Sequence, residues 1–296
     1  MEVLKWSFYT PFGKNDSFFN VKEVLKVKFE ISDRLLLKLK KNNKILLNSN
    51  VCSVSDKVTL GDTVSFNIDF EENSSNIVPA KINLNIIYED EAYIVINKPA
   101  GIPVHPSILH YENSLSNGVK YYFDTIGLKK KIRPVNRLDK DTSGIVIFAK
   151  NEYIQECLVK QMKQKIFSKE YIAICEGIFE NRSGTINAPI ARKENSIIER
   201  CVHEDGDASI THYNVLKTNF NCSIVKLLLE TGRTHQIRVH LSYIGHPILG
   251  DTLYGNASTK INRQALHALK VSFVHPISRK EVCYIAPLPN DIKSLL

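Results

Sequence analysis

In the stretch RPVNRLDKDTSGIVIFAKN, Arg133 to Asn151, Arg137 and Asp139 stand two positions apart, and a Thr-Ser-Gly turn leads into an apolar strand. Two readings compete. A turn with solvated charges is the ordinary one. The other is a loop that delivers the Asp139 carboxylate to the edge of a sheet, anchored by the strand Ile145 to Phe148. Asp141, two residues on, invites a glycosidase-like carboxylate pair. So short a separation instead points Asp141 away from Asp139, as a support of the loop. Farther along, THQIRVHLSYIG carries His235 and His240. They stand five apart, whereas zinc-binding histidines on one helix face are spaced i and i+4, so no metal is expected.

Composition narrows the partners. The 39 Lys and Arg against 31 Asp and Glu leave a formal charge of +8, which favours a polyanion, most often nucleic acid. Six cysteines, none in a C-x-x-C pair, argue against a structural zinc site and a disulfide framework. The amino terminus MEVLKWSFYTPFG lacks the basic-then-apolar layout of a signal peptide. No apolar run approaches the roughly 20 residues of a membrane helix. A reduced, cytoplasmic protein is the expectation.

The elements that must position Asp139 are legible in outline. A polar stretch from Asp69 to Lys81 suggests a boundary between units of residues 1–80 and 85–296. Before it, Arg34, Lys38, Lys40, Lys41 and Lys44 fall in a leucine-rich segment without an intervening acid, the pattern of a short basic amphipathic helix. ILLNSNV follows, then LGDTVSFNI, where Gly61-Asp62 opens an alternating strand. After the boundary, YIVINKPAG, GIVIFAKN, EYIAICEG, HYNVLKT and CSIVKLLLETG carry the aliphatic and aromatic bias of strands. Two helices are predicted there. One runs from Asn151 to Lys165 with Asn151 as its cap; the other is THQIRVHLSYIG, with Thr234 to cap and Gly245 to end it. Many strands with few helices predict an α+β fold.

Four stretches taken together resemble the RluA-type family of RNA pseudouridine synthases. They are YIVINKPAGIPVHP, VNRLDKDTSGIVIFAKN, SKEYIAICEG and LETGRTHQIRVHLSYIGHPILGDTLYG, in the family's order and at its separations across residues 85 to 290. The resemblance implies a mixed, mainly antiparallel sheet with flanking helices. It also implies isomerisation of uridine to pseudouridine in RNA, with no cofactor and no metal. The base must leave its stack, detach from the ribose, rotate and rejoin through carbon.

By that resemblance Asp139 is the catalytic carboxylate, able to act on the ribose as nucleophile or base. Arg137 enters the space vacated by the flipped base, where a guanidinium stacks on bases and reaches phosphate. Tyr171 stacks on the target base and assists proton transfer. Arg238 pairs with Asp139 and fixes its orientation. Arg233 contacts phosphate or holds its loop, and Lys129, Lys130 and Lys131 of LKKKIRP meet phosphate beside the site. Thr142 and Ser143 satisfy backbone groups of the turn, and Gly144 permits close packing. Asn136 stands where the family has histidine, which implies altered loop support rather than lost catalysis.

Residues 1–80 resemble the small RNA-binding module named after ribosomal protein S-four, although LNSN replaces its asparagine-glycine turn. In that reading Arg34, Lys38 and Lys41 face RNA. The appended module makes large-subunit ribosomal RNA the preferred substrate of a monomeric enzyme. A transfer RNA synthase and an RNA-binding or ribosome-assembly factor without catalysis are the alternatives. A hydrolase with a carboxylate dyad is disfavoured, because no second partner for Asp139 is visible.

Overall fold

A computed structural model describes residues 10–11, 20–68, 70–72, 76–219 and 221–296. Most of the first 19 positions and part of the polar stretch after residue 68 lie outside the described residues.

The described chain opens with β1 (Thr10–Pro11) and α1 (Val21–Val27). Asn20 caps α1 by accepting the Glu23 N–H at 3.0 Å. The expected basic helix is α2 (Asp33–Lys41), capped by Ser32 at 3.2 Å from the Leu35 N–H, with Leu35, Leu36 and Leu39 buried. The strands β2 (Ile45–Leu47), β3 (Asn50–Val51) and β4 (Thr63–Phe66) follow, in a four-stranded sheet of order β1-β4-β2-β3. Helix α1 escaped the sequence reading because seven residues show barely two turns of periodicity.

The remainder builds a ten-stranded sheet. Its first half comprises β5 (Ile86–Glu89), β6 (Tyr93–Lys98), α3 (Leu115–Thr125), β7 (Arg133–Pro134), β8 (Ser143–Ala149), α4 (Glu152–Lys163) and β9 (Ser168–Glu176). The strands β10 (Ser183–Asn187), β11 (Ile190–Arg192), β12 (Arg200–Val202), β13 (Ile210–Asn219) and β14 (Cys222–Leu229) come next. Helix α5 (Gln236–Tyr243), β15 (Leu266–Val274), β16 (Glu281–Ile285) and α6 (Asn290–Lys293) complete it. The order is β10-β13-β14-β9-β15-β8-β6-β5, with β16 on β15 and β7 on β8; β11 and β12 pair separately. Pairing is antiparallel except between β15 and β8, so the expected mixed, mainly antiparallel α+β architecture is what forms. Among the described residues no helix is long and apolar enough to cross a membrane.

Two expectations need correction. Helix α5 is not capped by Thr234: its N-cap is His235, in the left-handed region at φ 58° and without a side-chain cap bond. Gly245 ends it as expected, at φ +82°. Helix α3 was also missed, because Gly118 and a Tyr-Tyr-Phe run obscure its period. It is nucleated by a capping box between Ser114 and Asn117.

The apolar core does not break at the expected boundary. Val24, Leu35, Leu39 and Phe66 share one buried cluster with Tyr93, Ile145, Ile147 and Leu158. Phe66 packs edge-on against Tyr153 of α4 at 5.4 Å. Polar contacts reinforce the join. Lys38 bonds Glu72 at 3.2 Å and Glu152 at 2.6 Å, and Arg133 grips Glu72 with both terminal nitrogens at 2.6 and 2.7 Å. Burial would raise the Glu72 carboxyl, but the Arg133 fork and the Lys38 ammonium outweigh it and hold it down at about 2.

Candidate active site

The Asp139 loop leaves β7 and enters β8, and three residues fix it. Asn136 bridges to β8, donating to the Ile145 carbonyl at 2.9 Å and accepting the Ile147 N–H at 2.9 Å. The carboxamide thus supports the loop without titrating. Lys98, fully buried at the end of β6, donates to the carbonyls of Pro99, Ile102 and Lys140 at 2.8, 2.8 and 2.9 Å. It clamps the residue after Asp139 to the preceding turn. Burial pushes its ammonium down to about 7, against the pull of the Asp141 and Asp139 charges. Gly144, at φ +116°, lies so close to β15 that a Cβ would stand 2.2 Å from the Ala268 carbonyl oxygen.

Thr142 and Ser143 do not satisfy turn backbone as expected. Their hydroxyls meet side chains from β15 and the residues just before it: Gln264 donates to Thr142 at 3.2 Å, and Ser143 lies 2.9 Å from His267 Nδ1.

Arg238 meets Asp139 across 99 sequence positions, its Nη1 donating to Oδ2 at 3.2 Å. Its stronger engagement is with Asp251: Nε and Nη2 donate to the two oxygens of that fully buried carboxylate at 2.7 and 2.8 Å. Burial opposes the arginine's charge, but the two carboxylates more than compensate and raise its pKa further. The guanidinium also lies over the Tyr254 ring at 5.0 Å. Asp251 therefore aims Arg238, and Arg238 holds Asp139 from one side.

His235 approaches from another side, with Nε2 at 3.9 Å from Asp139 Oδ1 and Nδ1 at 2.8 Å from the Tyr254 hydroxyl. That hydroxyl also accepts the Arg200 N–H at 2.8 Å, so Tyr254 ties the His235 ring to the strand that carries Arg200. Burial lowers the imidazole's pKa, with Asp139 pulling the other way. His240 spends both nitrogens on Thr211 and the Ala188 carbonyl at 2.9 Å each. His240 thus keeps no nitrogen free, whereas Nε2 of His235 faces Asp139.

These groups open onto a cleft of about 1160 Å³, lined by Arg137, Asp139, Tyr171, Arg233, Arg238 and apolar walls such as Val104 and Leu266. Tyr171 is 6% exposed, and burial together with the Asp139 charge raises its phenol, which stays protonated at neutral pH. It can present a ring face and an O–H, but not a phenolate. Arg137 is exposed at the rim. Asp141 is not among the lining residues.

Several expected phosphate contacts are not in the cleft. Arg233 lines it, but its guanidinium reaches Asp207 at 3.5 Å and the Ala208 carbonyl at 3.4 Å, which is loop holding. Lys129 pairs with Glu71 at 3.4 Å, Lys130 donates to the Ile68 and Phe70 carbonyls, and Arg133 is locked on Glu72. Neither these groups nor Lys131 line the cleft. On α2, Arg34 and Lys41 are exposed, whereas Lys38 turns inward to its two carboxylates. The sequence reading missed Lys98, Asp251 and Tyr254, although all three lie inside the quoted motifs, and it weighed His235 only as a metal ligand.

Comparison with known proteins agrees with this geometry. Residues 92–243 match the family described as RNA pseudouridylate synthase. The chain is 39% identical over 267 residues to the Bacillus subtilis RNA pseudouridine synthase YjbO, covering 90% of this chain and 94% of that protein. It is 38% identical over 278 residues to ribosomal large subunit pseudouridine synthase D of Blochmanniella floridana, covering 86% of each. Among solved structures, human RNA pseudouridylate synthase domain containing 1 superimposes with a TM-score of 0.59 at 28% identity, over 71% of this chain and 85% of that one.

Proposed function

We propose, from the premise that this chain belongs to the RNA pseudouridylate synthase family, that its substrate is a uridine of large-subunit ribosomal RNA. The activity itself is that of an RNA isomerase. The observation that carries the finer reading is the 38% identity, over 86% of both chains, to a synthase named for the ribosomal large subunit. The exposed Arg34 and Lys41 of α2 suit an amino-terminal RNA-binding module in residues 1–80, and the enzyme would act as a cytoplasmic monomer.

In this reading the target base is flipped into the cleft and Arg137 fills the space it leaves. Asp139, held by Arg238, attacks or deprotonates the ribose as the bond from C1′ to N1 breaks. The Tyr171 ring faces the base while it turns. C5 then bonds to C1′ as the Asp139 carboxylate leaves that carbon or returns the ribose proton, the proton on C5 departs, and N1 gains one, so the atoms balance without a co-reactant.

Two measurements test the proposal. RNA tritiated at uracil C5 should lose tritium to water on incubation, and Asp139→Asn should abolish the release while leaving fold and RNA binding intact. A turning-over Asn variant would remove Asp139 from the chemistry. Pseudouridine mapping in cells lacking the gene should show one or more positions lost from large-subunit RNA. Loss from transfer RNA alone would overturn the substrate assignment and keep the activity.

A further inference from the structure

The cations of the cleft differ in what holds them. Lys165 pairs with Glu230, Arg233 with Asp207 and Arg238 with Asp251 and Asp139. Arg137 and Lys163 reach solvent at the rim. Lys169 is different. It lies in β9 two positions before Tyr171, so the two side chains share a face of the strand, and both line the cleft.

Its stem is recessed, and its ammonium lies against the bare backbone of Gly232, where a Cβ would stand 3.2 Å from Nζ. Among the described residues, no carboxylate and no hydrogen-bond acceptor meets that ammonium. Burial alone acts on it, lowering its pKa. A half-buried cation without a counter-charge carries an uncompensated desolvation cost, which an arriving anion relieves.

We infer that Lys169 is a phosphate-binding residue of the substrate, gripping the backbone phosphate of the nucleotide whose base enters beside Tyr171. Two strand positions span roughly 7 Å, the scale of one nucleotide from base to phosphate. Lys165, Arg233 and Arg238 cannot substitute without breaking their own ion pairs, and Arg137 and Lys163 stand out at the rim. The acids Glu230 and Asp207 neutralise the outer cleft, and the recessed Lys169 is left to read whether a phosphate is in register with a flipped base. The assignment rests on the isomerase activity and holds whichever RNA is the target.

The test uses the full enzyme and total RNA tritiated at uracil C5, prepared from cells lacking the gene. Tritium release by the unaltered enzyme checks the activity separately. Lys169→Met should fold normally and raise KM roughly tenfold with a much smaller change in kcat. The plot of log kcat/KM against log salt should become shallower by about 0.7 to 0.9, the amount one phosphate contact contributes. Lys169→Arg should restore the parental slope. Should the methionine variant fail to fold, Lys169→Gln serves for the same readout. Parental KM and salt slope in the neutral variant overturn the proposal, as does a loss confined to kcat or an arginine variant with the neutral variant's slope.

Discussion

Arg238 divides its guanidinium unequally, with two nitrogens on the fully buried Asp251 and one on the partly exposed Asp139. Its loss is therefore felt first as an orphaned buried charge. Arg238→Ala should cost about 3–5 kcal/mol in stability and also suppress turnover. Pairing it with Asp251→Asn should recover much of the stability but not the activity, since Asp139 still lacks its partner. Urea unfolding and tritium release separate the two effects, and an Arg238→Ala enzyme of parental stability would sink this account. The Asp139–Arg238 contact was legible in the sequence because both residues sit in recognisable motifs. Asp251 was not. Gly-Asp-Thr reads locally as a turn, and only the fold shows that its carboxylate faces back into α5. Lys98 was hidden likewise, because a lysine closing the strand YIVINKPAG is ordinarily exposed rather than a buried clamp.

The elements that carry the site meet where β8 runs parallel to β15. Their junction is polar inside: His267 is fully buried, with Nδ1 2.9 Å from the Ser143 hydroxyl and Nε2 3.4 Å from the Ala286 carbonyl. Burial pulls its pKa from 6.5 down to about 4, and His240 is lowered for the same reason. A histidine whose folded pKa lies below its unfolded one leaves the unfolded chain to bind the proton first. Its contribution to stability is therefore complete above 6.5 and lost as the pH falls toward about 4. For His267 the loss amounts to about 3 kcal/mol. Unfolding free energies measured across that interval should fall steeply in the parent and less so in His267→Gln; equal slopes would remove His267 as the cause. At this junction β8, like the neighbouring β6 and β9, was read correctly from its aliphatic run, and α4 from its Asn151 cap; β15 was not. The start of α5 was not, because a left-handed histidine at the N-cap has no local signature that outranks the adjacent threonine.

At the scale of the molecule, the question is whether residues 1–80 are an appendage or part of the body. The sequence showed a basic helix, a polar stretch and a strand pattern, from which a separable RNA-binding unit follows naturally. The structure adds that Leu35, Leu39 and Phe66 lie in the same apolar cluster as Ile145 and Ile147 of β8. Lys38, Glu72, Arg133 and Glu152 tie α2, the polar stretch, β7 and α4 together. Side chains alternate out of sight of a one-dimensional pattern, so sequence alone could not reveal that the face of α2 called basic keeps one lysine for this internal network.

Deleting residues 1–80 is consequently a test of folding rather than of RNA affinity. It would uncover Tyr153 and Leu158 of α4 and strip Arg133 of its carboxylate. The truncated chain should unfold at lower denaturant or accumulate as aggregate. Affinity is better tested by the exposed cations: replacing Arg34, Lys40 and Lys41 together by alanine removes charge from the outer face of α2 while Leu35, Leu36 and Leu39 stay in place. That variant should keep the parental unfolding midpoint and the parental kcat. Its RNA binding should weaken, and its salt slope should become shallower by up to about 0.9 for each phosphate that α2 no longer neutralises. Undiminished affinity with an unchanged slope would mean that α2 meets no RNA. A truncated chain as stable as the parent would mean that the shared core contributes little to the fold.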